Sequence, residues 1–118
     1  MNLFRLGDFT LHSGGHSRFK IDCDSLVNED WKCLAQMAAE RLPRFTHVEG
    51  VLHGGIQFAR ALEIHRSFGC ESTLLIVDDV WTTGASMEQQ RGGRDAIGMV
   101  VFSRGTLASW VKALFVLQ

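Results

Sequence analysis

The spacing of hydrophobic positions changes repeatedly along the chain, and each change predicts a different element. From Asn28, the polar run Asn-Glu-Asp is followed by Trp31, Leu34, Ala35, Ala38 and Leu42 at intervals of three and four. That spacing predicts a helix with one buried face, opened by the polar residues and ended near Pro43. The segment HVEGVLH then reads as a short strand running into Gly54 and Gly55, after which Ile56, Phe58, Ala59 and Leu62 return to helical spacing. In STLLIVDDV consecutive positions are apolar through Val77, the pattern of a parallel strand covered on both faces. A glycine turn at Gly84 and the polar stretch SMEQQRGGRD lead to IGMVVFS and KALFVL, two further strands. Strands alternating with helices predict an α/β fold with a parallel sheet and ligands at the carboxyl ends of its strands. The opening differs, because FTLH and RFKIDCD flank the turn-rich SGGHS and predict two short strands forming a flap.

Composition narrows this picture. At 118 residues and 46% hydrophobic content the chain is expected to form one domain over 1–118, with flap strands over 1–24 and the α/β core over 25–118. Twelve basic against 13 acidic side chains leave no electrostatic footprint for nucleic acid or an anionic membrane. No apolar run approaches the roughly 18 to 20 residues of a membrane span, and MNLFRLGDF lacks the layout of a secretory signal, so a soluble, cytoplasmic protein is expected. Cys23, Cys33 and Cys70 are odd in number and widely spaced, which predicts three buried, reduced thiols.

The chemistry concentrates in LLIVDDVWTTGAS (Leu74 to Ser86). A buried strand ending in Asp78 and Asp79 must bring both carboxylates to its mouth, since an apolar core would not accept them unpaired. Thr82, Thr83, Gly84, Ala85 and Ser86 then form a small-residue turn opening a helix, whose hydroxyls and free amides make an anion cradle. Carboxylates beside a phosphate pocket repel a polyanion unless they face hydroxyls or a divalent cation. A ribose 5-phosphate has both the hydroxyls and the phosphate.

The same segment closely resembles the 5-phosphoribosyl-1-pyrophosphate motif of type I phosphoribosyltransferases: four apolar residues, two acids, two more residues, then Thr-Thr-Gly-x-Ser. The resemblance implies a Rossmann-like parallel-sheet core with a small N-terminal β hood. It implies that Asp78 and Asp79 contact the ribose 2- and 3-hydroxyls and act catalytically, while Thr82 to Ser86 hold the 5-phosphate. It also implies Mg2+ bound through the ligand, with Asp78 and Asp79 as the candidate protein groups near it, and a homodimer. EGVLHGGIQFARAL (Glu49 to Leu62) is similar to the family's pyrophosphate loop, so His53, Gly54 and Gly55 would face the pyrophosphate. GDFTLHSGGHSRFKID (Gly7 to Asp22) resembles the opening of orotate phosphoribosyltransferases, placing Phe19, Lys20 and Ile21 over the base. Arg104 falls where those enzymes set an arginine near the base, with a solvated strand-end arginine as the equal alternative. Trp110 is read as a core residue in preference to a base-stacking one.

Departures from the pattern bear on activity. His12 and Gly54 stand where orotate enzymes carry lysines, and residues 59–73 leave no room for the family's long mobile loop. Loss of both weakens stabilisation of the leaving pyrophosphate and admits water. His12, His16, His53 and Arg60 are the candidate replacement cations. Trp81 replaces an aliphatic residue and either packs inward or covers the sugar. The leading expectation is therefore transfer of phosphoribosyl from phosphoribosyl pyrophosphate to a nucleobase, an orotate-like pyrimidine by preference. The alternatives are a non-catalytic ribose-phosphate or nucleotide-binding module, and a hydrolase of phosphoribosyl pyrophosphate or nucleotides.

Overall fold

The computed structural model describes residues 3–10, 16–69 and 71–117. Strands β1 (Phe4–Thr10) and β2 (His16–Ile21) pair as an antiparallel hairpin. A separate four-stranded parallel sheet runs in the order β3 (His47–Gly50), β4 (Leu74–Trp81), β5 (Ile97–Ser103) and β6 (Val111–Val116). Three helices accompany it: α1 (Asn28–Arg41), α2 (Ile56–Leu62) and α3 (Ala85–Arg91). The α/β class and the flap read from the sequence are both present.

Helix α1 opens where the polar run placed it, with the Val27 amide donating to Asp30 Oδ2 at 3.0 Å. Its predicted face buries Trp31, Ala35 and Ala38, while Leu34 and Leu42 pack at the margin. Trp31 meets Phe58 of α2 with ring centroids 5.9 Å apart, and both helices cover Leu75, Val77, Met99 and Leu114 on one face of the sheet. On the opposite face Ile76, Val100 and Val111 pack with Trp81 and with Met87 of α3. Leu107, Ala108 and Trp110 join that cluster, so the connection between β5 and β6 covers the sheet without a helix. Parallel neighbours ordinarily need a crossover of about a dozen residues or more. Residues 104–110 suffice here because they lie flat on the apolar face.

Several sequence expectations change. Strand β3 stops at Gly50, and residues 51–55 form a separate loop. Gly50 and Gly55 permit that loop to fold back: a Cβ on Gly50 would lie 2.5 Å from the Gly55 carbonyl oxygen, and one on Gly55 2.5 Å from that of Val77. Strand β4 does not end at the acids but continues through Trp81, pairing Val80 with Phe102 and Trp81 with Ser103. The hairpin begins at Phe4, before FTLH, and its second strand ends at Ile21 ahead of a 3-10 turn over Cys23–Ser25. Cys23 is buried as expected, whereas Cys33 is exposed because it falls on the outward side of α1. His12 and Cys70 lie outside the described residues. Among those residues, no helix is long and apolar enough to cross a membrane.

Candidate functional site

The acid pair distorts the strand that carries it. The Asp79 amide donates to Asp78 Oδ1 at 2.8 Å, and the Val80 amide to Asp79 Oδ1 at 2.7 Å. Consecutive backbone donors therefore turn toward side chains, and the strand changes phase. Leu75 and Val77 face α1 and α2 while Ile76 faces α3, yet beyond the acids Val80 packs on the first side and Trp81 on the second. Strict alternation would give the reverse.

Asp78 is 7% exposed, and burial, followed by the hydrogen bond and charge of Asp79, pushes its carboxyl up to about 8. Near neutral pH the pair thus holds a proton. Beneath it, the Cys23 thiol is pushed up to about 12 by burial, then by Asp79 and the other nearby acids. That thiol stays protonated and is no nucleophile.

Trp81 packs inward. Its ring is 3% exposed, and its Nε1 donates to the Thr106 carbonyl at 3.1 Å. The ring lies directly under Gly84, where a Cβ would stand 2.2 Å from Trp81 Cη2 and where φ is +85°. Glycine is required twice at this position, for the left-handed backbone and for the contact. The turn above is secured by the Glu88 amide on the Gly84 carbonyl at 2.9 Å and the Ala85 amide on Thr83 Oγ1 at 3.4 Å. Among the described residues, the amides of Thr83, Gly84 and Ser86 find no partner.

The loop over residues 51–55 forms the facing wall. The Gly55 amide donates to the Val51 carbonyl at 2.8 Å and is unavailable to a ligand, contrary to the expectation for that residue. The amides of His53 and Gly54 find no partner among the described residues. Gly54 lies against Asp79, with a Cβ there falling 2.4 Å from Asp79 Oδ2.

Between these walls and the hairpin lies a cleft of about 390 Å³. Of the residues singled out from the sequence, Asp78, Asp79, Thr82, Ser86, His53, Gly54, Lys20 and Arg104 line it together. Thr83, Gly84 and Ala85 shape the turn without lining the cleft, and Gly55 and Phe19 do not reach it. Ile21, which the resemblance also placed over the base, lines it too, as do Phe9 and Thr10 of the same hood segment; Val51, Leu52 and Val80 complete the lining and carried no sequence signal beyond apolar spacing.

Arg104 is neither free in solvent nor open to a ligand on all sides. Its guanidinium donates to Ser17 Oγ at 2.9 Å and to the Phe19 carbonyl at 3.0 Å, and lies 4.1 Å from the Phe19 ring centroid. It fastens the hairpin to the end of β5. Arg60 lies on α2 away from the lining. Trp110 also lies elsewhere, half-buried at the margin of the second cluster rather than in the core, under Arg91 at 4.6 Å and donating to Glu88 at 2.7 Å. Glu49, on the neighbouring strand β3, is held by Arg94 through two bonds of 2.8 and 2.9 Å, which with Gln90 draw its carboxyl down to about 2.

No protein-family model and no curated protein sequence matches the chain. Solved structures do. An orotate phosphoribosyltransferase from Aeropyrum pernix superposes with a TM-score of 0.76 at 23% identity, over 98% of this chain and 88% of that one. UMP synthase from Leishmania donovani gives 0.78 at 20% identity over 98% of this chain, which spans only 34% of that protein. The orotate phosphoribosyltransferase of Mycobacterium tuberculosis in complex with 5-phospho-alpha-D-ribosyl 1-diphosphate gives 0.64 at 20% identity, over 92% of this chain and 86% of that one. The chain has the phosphoribosyltransferase fold, with a four-stranded parallel sheet and a two-stranded N-terminal hairpin.

Proposed function

We propose that the cleft binds the 5-phosphoribosyl group of phosphoribosyl pyrophosphate and transfers it to a nucleobase, with an orotate-like pyrimidine as the favoured acceptor. One observation carries this reading: the acid pair of β4 and both ends of the small-residue turn, Thr82 and Ser86, open onto the same cleft. Asp78 and Asp79 would hold the ribose 2- and 3-hydroxyls, and the Thr82 and Ser86 hydroxyls with the unpartnered Ser86 amide would hold the 5-phosphate. Phe9, Ile21 and Val51 offer an apolar slot for a flat ring, with Lys20 at its edge.

Among the described residues no group of three or more His, Cys, Asp or Glu could cage a metal ion. An acid pair beside a phosphate site fits a magnesium ion that enters on the ligand's own oxygens, touched at most by Asp78 and Asp79. Bound there, it would supply neutralisation of the leaving pyrophosphate. In the reaction the bond from carbon 1 to the pyrophosphate oxygen breaks as the base nitrogen bonds to carbon 1, and that nitrogen's proton leaves. Asp79 stands at the cleft to receive it. No side chain forms a covalent intermediate; positioning and electrostatics do the work.

The engaged Gly55 amide and the lack of lysine in the loop favour a second reading, a ribose-phosphate or nucleotide binder without turnover. Incubation with magnesium, phosphoribosyl pyrophosphate and a panel of bases beginning with orotate separates the two. Base-dependent nucleotide and pyrophosphate are expected. Binding without product would establish the second reading, and base-independent pyrophosphate would instead mark a hydrolase.

A further inference from the structure

Strand β3 carries a charge where a strand of a parallel sheet ordinarily carries an apolar side chain. Val48 packs on the α1 and α2 side of the sheet, and the half-buried Glu49 turns to the α3 side. There it accepts from Gln90 Nε2 at 2.8 Å and from the Arg94 guanidinium, Nη1 to Oε2 at 2.8 Å and Nη2 to Oε1 at 2.9 Å. Such a fork fixes direction as well as distance. Arg94 also donates to the helix itself, Nη2 to the Gln90 carbonyl at 2.7 Å and Nε to the Arg91 carbonyl at 2.9 Å. One side chain thus closes the last turn of α3 and ties it to β3.

Helix α3 needs such a tie. It has seven residues, too few to be stable alone, and among its described residues only Met87 is buried. Both of its ends are left-handed glycine joints, Gly84 at φ +85° and Gly92 at φ +60°. On the side away from β3, Glu88 accepts from Trp110 Nε1 at 2.7 Å and pairs with Arg91 at 2.7 Å, so polar contacts hold the helix on both flanks of β4. Ser86, in the first turn of α3, and Thr82 just before it line the cleft. A rod of about 10 Å resting on Met87 transmits a tilt at one end to the other. The bonds at Arg94 therefore govern where Ser86 stands. Because β3 runs directly into the loop over residues 51–55, the same bonds join the two walls of the cleft.

Resting on the ribose-phosphate reading above, we infer that Glu49 and Arg94 are positioning residues for the 5-phosphate. By clamping the far end of α3 to β3 they hold the Ser86 and Thr82 hydroxyls at the separation a phosphoryl group spans. Neither residue lines the cleft, so neither touches the ligand. An exposed ion pair adds little to global stability, and the effect of this one falls on the placement of the turn.

Titration of the folded chain with ribose 5-phosphate, followed by calorimetry and by the phosphorus NMR signal of the bound ligand, tests this. Arg94→Met is expected to weaken binding by roughly five- to tenfold and to move the bound signal toward that of the free ligand. Glu49→Gln, which keeps the shape of the side chain and removes its charge, should act in the same direction and carries the test alone if Arg94→Met fails to fold. Arg66→Met, which removes a comparable ion pair with Glu63 and a bond to the Thr46 carbonyl beside the other end of β3, should change neither readout. Unchanged affinity in the Glu49 and Arg94 variants, weaker binding with an unmoved phosphorus signal, or the same losses in Arg66→Met would each overturn the inference and leave the ribose-phosphate reading intact. If the wild-type chain itself does not bind ribose 5-phosphate, the underlying reading fails and the inference with it.

Discussion

Replacing Asp78 by Asn isolates the proton held by the acid pair. Burial and Asp79 raise the Asp78 carboxyl from 3.8 to about 8. A raised acid keeps in the folded chain a proton that the unfolded chain has released, so its contribution is fully present below about pH 3.8 and is lost as pH rises through about 8. While the folded group is protonated and the unfolded one is not, stability falls by about 1.4 kcal/mol per pH unit. Between about pH 6 and about pH 8.5 the loss comes to roughly 2 to 3 kcal/mol. Asparagine has no charge to desolvate and keeps an oxygen for the Asp79 amide, which donates to Asp78 Oδ1 at 2.8 Å. Asp78→Asn should therefore be more stable than the wild type by a margin that widens by that amount across the interval. Urea unfolding followed by tryptophan fluorescence at several pH values measures it, and taking the difference between the two chains removes the titration of histidines and thiols common to both. A margin that stays constant with pH would refute the protonated acid pair.

Two further outcomes follow from the walls of the cleft. Gly84→Ala combines a φ of +85° with a Cβ 2.2 Å from the Trp81 ring, so a loss of about 2 to 4 kcal/mol and a Tm lower by roughly 10 °C or more are expected; a Tm within about 3 °C of wild type would contradict the contact. Arg104→Met keeps an aliphatic side chain near Phe19 but removes both donors to the hairpin, so hydrogen exchange should quicken over residues 16–21 and stay unchanged in β4 and β5; uniform protection would mean that Arg104 does not fasten the hairpin.

The sheet and its helices were legible because burial on both faces of β4 and β5, and on one face of α1, leaves a periodic trace in the sequence. The acid pair and turn were legible as chemistry, since carboxylates and a run of small hydroxylated residues have few other uses beside a buried strand. The end of β4 was misjudged because Asp78 and Asp79 resemble a solvent-facing terminus, whereas each is satisfied by the next residue's amide within the sheet. Trp81 could not be assigned a direction from spacing, for the phase change at the acids reverses the faces just before it. The partner of Arg104 and the seating of Asp79 on Gly54 are contacts between distant segments, and single-residue patterns contain no record of them. Cys33 was misread because cysteine's general preference for interiors says nothing about which side of α1 position 33 occupies.

The two carboxylates of β4 are already oriented before anything enters the cleft. Each uses one oxygen on the main chain immediately ahead of it, so neither side chain is free to swing, and the second oxygen keeps a fixed aim. A visiting hydroxyl group meets carboxyl groups whose rotational freedom was surrendered when the chain folded, which spares the encounter that entropic penalty and makes selectivity depend on shape from the first contact.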